Sequence, residues 1–235
     1  GVKRFISFVP GATIMGTSCQ TAPKKGLFGV SWIKVELDRP GVKITSIPEM
    51  GLRGHQLGNI VLKNVRVPVS NLMAEEHRGL YAVFNRWGLM RIYNTMYPLG
   101  AAMQSIDETI EFVKRRVAFG RPIGKFEAVQ FRIVEDYTNI ELTKLMAYRG
   151  LWLADMGRLP NIREAAMVKH FGQQACCRAI DNCLQNHGAL GYESSKPFDR
   201  RYRAVRGFQL GNGTNDIMKI MLGRLLLGDE MVPYR

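Results

Sequence analysis

No stretch of this sequence stays apolar for the roughly 18 residues that a membrane-spanning helix needs, so no segment reads as transmembrane. Cysteine is scarce and poorly spaced for metal. Cys19, Cys176, Cys177 and Cys183 form no CxxC pair, which argues against a structural zinc site. Three of the four fall in one predicted helix, where Cys176 and Cys183 share a face, as buried small residues in a reducing compartment would. The four histidines (His55, His77, His170, His187) lack metal-ligand spacing and read as structural or surface groups. Internal repeats, low-complexity tracts and an obvious linker are also missing. Acidic charge is in deficit, with 20 Asp and Glu against 33 Lys and Arg, a formal net charge of +13. Such an excess suits nucleic acid, acidic lipid or a polyanionic small ligand such as a nucleotide or coenzyme A. The basic residues (Lys3, Arg4, Lys24, Lys25, Arg115, Arg116, Arg200, Arg201, Arg203) are dispersed, which makes sequence-directed nucleic-acid binding the minor reading.

The 235 residues are enough for one large or two smaller domains. They divide by pattern into a partial antiparallel β domain over 1–76 and a helical domain over 77–235, an α+β class. In the first, Ile33, Val35 and Leu37 alternate with Lys34 and Glu36, and Asp38-Arg39-Pro40-Gly41 turns the chain toward Val42 and Ile44. Ile60, Leu62, Val65 and Val67 repeat the alternation. Strands this short need neighbours, so the sheet reads as incomplete at its N-terminal side, and a start at Gly1 within strand-like sequence reads as processed or truncated. In the second, Leu99, Met103, Ile106, Ile110 and Val113 make a helical stripe. A second helix over about 126–157 carries Ile133, Tyr137, Ile140, Leu145, Tyr148 and Trp152. A third, about Ile162 to His187, carries Val168, Phe171, Ala175, Ala179 and Cys183, and a fourth follows Thr214 with Ile217, Met218, Met221, Leu222 and Leu225. Four long helices with short connections predict an antiparallel four-helix bundle, with the aromatic and Met residues of these faces in its core.

Three loops carry polar chemistry. In Gln209-Leu210-Gly211-Asn212-Gly213-Thr214-Asn215-Asp216, Gly211 and Gly213 permit backbone angles closed to other residues, and Thr214 or Asn212 can cap the helix. Its backbone N–H groups can converge on an electron-rich partner, although an ordinary capped turn needs the same residues. The third glycine of a dinucleotide-binding fingerprint is absent. Arg116-Val117-Ala118-Phe119-Gly120 places a guanidinium beside an aromatic ring and a glycine turn; it suits pyrophosphate, and equally a helix C-terminus with cations near its dipole. Gln185-Asn186-His187-Gly188-Ala189-Leu190-Gly191-Tyr192 ends the third helix with Gly188 as its C-cap and with free side-chain amides.

Taken in order, after a β segment with Gly51-Leu52-Arg53-Gly54 and Val65-Arg66-Val67-Pro68, these loops resemble the C-terminal part of the acyl-CoA dehydrogenase family over essentially the whole chain. The resemblance implies FAD and a dimer of dimers, homo- or hetero-tetrameric, with flavin sites built across subunits. It implies that Arg116 and Phe119 hold the pyrophosphate and adenine side of a neighbouring subunit's FAD, with Gln185 and Gly188 as the second cross-subunit contact. It places Thr214 and Asp216 toward the FAD phosphate and adenosine, Phe5 and Ser7 along the isoalloxazine ring, and Arg91 and Gly213 on the acyl-CoA side. The family reaction is α,β-oxidation of an acyl-CoA thioester, in which a carboxylate takes the α-proton as hydride leaves to flavin. Here the position of that carboxylate is Asn212, and the alternative position before Arg91 is Met90. Gly88 stands where an Asp usually helps recognise coenzyme A, and Ala204 follows Arg203 where an Asp is usual. An amide has no basic lone pair near neutral pH, so Asn212 can orient but not abstract. Three readings stand: a dehydrogenase with an unusual base or substrate, a non-catalytic FAD-holding subunit paired with a catalytic relative, and a basic binding protein. Bacterial cytoplasm and mitochondrial matrix both suit the reduced cysteines.

Overall fold

The chain is described by a computed structural model over residues 1–159 and 161–231, the Asn85 side chain excepted. Tertiary contacts divide it into two units, Gly1–Arg86 and Trp87–Arg235.

The first unit holds two small antiparallel sheets in place of the single sheet expected. β1 (Val2–Ile6), β5 (Gly58–Leu62) and β4 (Val42–Ser46) pair in the order β1-β5-β4, with Ile44 opposite Ile60. β2 (Ile14–Gln20) and β3 (Val30–Glu36) pair separately, Met15 opposite Val35 and Thr17 opposite Ile33. Val9, Leu37 and Ile60 form the core between strands and loops. The β1–β5 register slips between Lys3 and Ile6, and Phe5 takes a left-handed φ of 57° there. A bulge of this kind leaves one residue unpaired and redirects its side chain, and Phe5 is exposed. The strand expected at Val65 and Val67 does not form. Asn64, at a φ of 52°, turns the chain out of the β4–β5 ladder, and Pro68 has no N–H to donate to a new one.

The helical region begins with α1 (Gly79–Arg115), a 37-residue helix with Pro98 inside it. A short hairpin of β6 (Val117–Ala118) and β7 (Arg121–Pro122) leads to α2 (Glu127–Asp155). α3 (Ile162–Met167) passes through a π-helical turn, Val168–Gly172, into α4 (Gln173–His187). α5 (Pro197–Phe208), which the four-helix pattern did not include, and α6 (Asn215–Leu227) complete the second unit. The shared core joins Leu99, Ala102 and Ile106 of α1, Ile140 of α2, Cys176, Ala179, Ile180 and Cys183 of α4, and Phe198 and Val205 of α5. The stripes expected on α1 and α4 are therefore the buried ones.

On α2 and α6 the expected faces differ from those observed. α2 buries Asp136, Ile140, Thr143, Ala147, Gly150 and Leu153, while Tyr137, Leu145, Tyr148 and Trp152 are exposed. Small and polar residues let α2 approach α4 and the π turn closely, and the large side chains face outward. Ile217 and Leu225 of α6 are likewise exposed, with Met218 buried.

Close approach is tightest at the π turn. A Cβ on Gly172 would lie 2.5 Å from the Thr143 methyl and 3.0 Å from that of Thr95. Gly172→Ala is expected to lower stability by about 1–3 kcal/mol through overpacking. Gly100→Ala, in α1 with open space around its Cβ position, is expected to raise stability by roughly 0.5–1 kcal/mol. Chemical denaturation of the two variants checks the opposite signs.

Candidate functional site

The loop between α5 and α6 is built from a turn and a cap. Asn212 and Gly213 take consecutive left-handed φ values of 55° and 86°; Gly211, expected to need such freedom, does not. Asn tolerates this region better than most residues because its short amide can bond locally. The turn delivers Thr214 to the N-cap of α6, where its Oγ1 accepts from the Ile217 N–H at 3.3 Å. Asn215 N–H donates back to the Gln209 carbonyl at 3.2 Å, so the loop closes on itself. Asp216 sits in the first turn of α6 and pairs with Lys219 on its exposed side.

Two cations of the bundle interior fix this loop. Arg91 of α1, 6% exposed, donates from Nε to the Asn212 carbonyl at 3.3 Å, lies over the Trp87 ring, and has Nη2 3.8 Å from the point where a Gly213 Cβ would stand. Lys169, in the π turn and fully buried, donates to the Phe208 carbonyl and to Gln173 Oε1, both at 3.0 Å. Gln173 in turn donates to Thr95 Oγ1, whose hydroxyl donates to the Arg91 carbonyl, and Gln209 donates to the Gln173 carbonyl. The family resemblance implies the acyl-CoA side for Arg91 and Gly213, and the structure brings Arg91 against Asn212 and Gly213. Lys169, Gln173 and Thr95 were not foreseen. Their signal is a lysine on the apolar stripe Ala165, Lys169, Gly172, Cys176, where a charge needs dedicated partners.

Two departures from the family pattern have definite surroundings. A Cβ at Gly88 would stand 2.7 Å from Asn161 Oδ1, so a side chain at 88 would require Asn161, which donates from Nδ2 to the Gly150 carbonyl, to shift. Arg203, with Ala204 beside it, pairs with Asp199 one turn earlier in α5.

The other proposed cofactor contacts lie at the opposite end of α1. Phe119 stands at a φ of 51° and 95% exposed in the β6–β7 hairpin, and the Arg116 side chain has no partner among the described residues. Gly188, at a φ of 60°, ends α4 and bonds back to the Gln185 carbonyl, as expected of a C-cap. His187 stacks on Phe112 with ring centroids 4.1 Å apart, which puts the Gln185–Gly188 loop and the Arg116 hairpin at the same end of the bundle. A cleft of about 510 Å³ opens there between Phe112, Arg115, His187 and Lys196. Twenty-five residues of α1 separate Arg116 from Arg91, about 38 Å at 1.5 Å per residue. Within one chain these two groups do not converge on one ligand. Phe5 and Ser7 belong to the first unit, both exposed. An uncovered aromatic ring can stack on a dinucleotide's rings, and a guanidinium without a partner among the described residues and a helix N-terminus can donate to its phosphates.

Residues 77–227 match the family described as acyl-CoA dehydrogenase, C-terminal domain. The chain belongs to the acyl-CoA dehydrogenase family. It is 32% identical over 216 residues to a probable acyl-CoA dehydrogenase of Bacillus subtilis, covering 92% of this chain and 57% of that one. It is 30% identical over 229 residues to a 3-(aryl)acrylate reductase of Clostridium sporogenes, covering 97% and 60%. The crystal structure of an acyl-CoA dehydrogenase from Geobacillus kaustophilus superposes with a TM-score of 0.92 at 29% identity, over 96% of this chain and 60% of that one. The chain thus spans between a half and two thirds of the length of these relatives. Members of this family are FAD-dependent flavoproteins. Among the described residues no helix is long and apolar enough to cross a membrane.

Burial pushes the Lys169 amine down to about 8, helped by the neighbouring Arg91 charge. An unfolded lysine titrates near 10.4. Between these values the unfolded chain holds a proton that the folded chain has released, so this group makes stability rise with pH through that window. The buried Cys176 and Cys183 thiols, pushed up to about 12, act in the opposite sense above their ordinary range, so the comparison must be with a variant. Relative to Lys169→Met, the parent is expected to gain about 1–2 kcal/mol between pH 7 and pH 9.5. A stability gap that stays flat over this range in urea unfolding overturns the assignment.

Proposed function

We propose that this chain is the C-terminal part of an FAD-dependent enzyme acting on the α,β carbons of an acyl-CoA thioester. The observation that carries the reading is the Asn212–Thr214 turn, held at Asn212 by buried Arg91 and capped into α6 by Thr214. Flavin, when bound, supplies a hydride acceptor. Thr214 and Asp216 would hold its phosphate and adenosine side, Phe5 and Ser7 its ring system, and Arg116, Phe119, Gln185 and Gly188 the flavin of a neighbouring subunit. The separation of the two groups along α1 supports a cross-subunit site, and the exposed Tyr137, Leu145, Tyr148 and Trp152 face of α2 supports a tetramer. At the reacting centre the Asn212 backbone N–H remains available to polarise a thioester carbonyl, and Arg91 fixes the peptide that carries it.

The substitution at the base position favours a second reading. Asn212 cannot take the α-proton, Met90 cannot, and Gly88 brings no carboxylate. A subunit that holds FAD for a catalytic relative needs the loops and not the base. The relatives include a reductase as well as a dehydrogenase, so the direction of turnover is open to the same test.

The protein purified from its own source is expected to carry FAD, seen as flavin absorbance in an oligomer resolved by native mass spectrometry. Asn212→Glu restores a carboxylate at the cost of about 1 kcal/mol for a left-handed Glu. Under anaerobic mixing with acyl-CoA it is expected to bleach the flavin at least about 100-fold faster than the parent, the usual scale of general-base catalysis. A flavin-loaded variant that binds acyl-CoA without bleaching sinks the dehydrogenase reading and leaves the supporting subunit.

A further inference from the structure

Between β2 and β3 the chain holds two large apolar side chains outside any core: Leu27 is 73% exposed and Phe28 85%. They belong to Pro23-Lys24-Lys25-Gly26-Leu27-Phe28-Gly29, a 3-10 segment kinked at Gly26, whose φ of 56° and ψ of −132° suit glycine. The base of this projection is closed by its own hydrogen bonds. Thr21 and Ala22 N–H both donate to the Gly29 carbonyl, at 2.9 and 3.0 Å, and Lys25 N–H donates to the Ala22 carbonyl at 2.9 Å. Gln20 Nε2 donates to the Gly26 carbonyl at 2.8 Å. A Cβ at Gly29 would stand 2.0 Å from the Ala22 carbonyl oxygen, so this closure needs glycine. The turn is therefore shaped locally, and its apolar pair is left without a core to join.

Charge around the pair has one sign. No Asp or Glu precedes Glu36 in the sequence, whereas Lys3, Arg4, Lys24, Lys25 and Lys34 do. Lys24 and Lys25 stand next to the pair, both exposed and without a carboxylate partner among the described residues. At the base of the turn Thr21 Oγ1 meets His77 Nδ1 at 2.9 Å, and the acids of that segment are engaged there: Glu75 pairs with Arg78, and Glu76 lies 3.9 Å from His77.

We propose that the Leu27–Phe28 turn docks the protein on an anionic lipid surface. The two apolar side chains enter the boundary between headgroups and acyl chains, and Lys24 and Lys25 meet the negative headgroups. A tip of two side chains is far smaller than a stable protein–protein interface, whereas a lipid surface rewards each inserted apolar group and each basic residue separately. The net charge of +13 draws the chain toward such a surface before the tip inserts. The proposal needs neither flavin nor acyl thioester.

The test mixes full-length protein with vesicles of phosphatidylcholine alone, and of phosphatidylcholine with phosphatidylglycerol at about two to one. Co-sedimentation is expected to be at least about ten-fold stronger on the anionic vesicles, and to fall about ten-fold or more when Lys24→Gln and Lys25→Gln are combined. Leu27→Ser combined with Phe28→Ser keeps every charge and is expected to weaken binding as far, about ten-fold. Binding that this apolar variant leaves unchanged belongs to the general positive charge and overturns the proposal, as does equal binding to both vesicles. Phe28→Trp reports on the tip itself, and decides alone should a double variant misfold. The emission it adds to that of the parent is expected to shift to the blue on anionic vesicles. Added emission that vesicles do not move, or that is already blue-shifted without them because protein covers the tip, overturns the proposal.

Discussion

A fully buried lysine dictates the arrangement of this bundle. The Lys169 ammonium must find oxygen acceptors inside the protein, and the two it finds, the Phe208 carbonyl and Gln173 Oε1, belong to the C-terminus of α5 and the start of α4. Gln173 can present its oxygen to Lys169 only because its amide nitrogen donates to Thr95, and Thr95 is oriented by the Arg91 carbonyl. Each bond in the series leaves the next donor or acceptor pointing where it is needed. Removing any one member leaves a buried polar group unsatisfied, which costs more than the bond itself contributes. The functional loop therefore starts from a point, Phe208, that the bundle interior fixes, and ends at a second, the Thr214 cap, that α6 fixes.

The π turn is the backbone counterpart of this arrangement. One wide turn at Val168–Gly172 interrupts what would otherwise be a continuous helix from Ile162 to His187, and it carries Lys169 at its second position. Insertions of this kind concentrate at functional sites because they change which side chains face inward without ending the helix. Gly172 closes the turn against Thr95 and Thr143, and the absence of a Cβ is what lets these three elements meet. The same close approach explains why α2 presents Ala147 and Gly150 to the interior and sends Tyr148 and Trp152 outward.

What could be read from the sequence follows from how local each feature is. The α1 and α4 stripes were legible because bulky aliphatic and small residues recur at three and four positions, and the Gly188 and Thr214 caps because a cap is made within one turn. The α2 face was misread: periodicity shows that a face exists, whereas the packing of α4 decides that the small face is the inner one. α5 was hidden by its charge, since Arg200, Arg201, Arg203 and Arg206 mask a face whose buried members are Phe198 and Val205. The strand at Val65 failed because a residue's alternation says nothing about whether a partner strand is within reach. The Lys169 series was illegible for the strongest reason, that it joins residues from Thr95 to Phe208 and only the fold brings them together.

The Asn212 position shows why a family's fold and its chemistry can part. The elements that shape the loop are the backbone angles of Asn212 and Gly213, the Thr214 hydroxyl and the Arg91 bond to a backbone carbonyl. None of them uses the side chain at 212. Asparagine serves the left-handed turn at least as well as a longer acid would, so losing the carboxylate there brings no conformational penalty. What changes is chemical: an acid at this point could take a proton, and an amide cannot. Retained geometry with altered charge is therefore the expected outcome of substitution here.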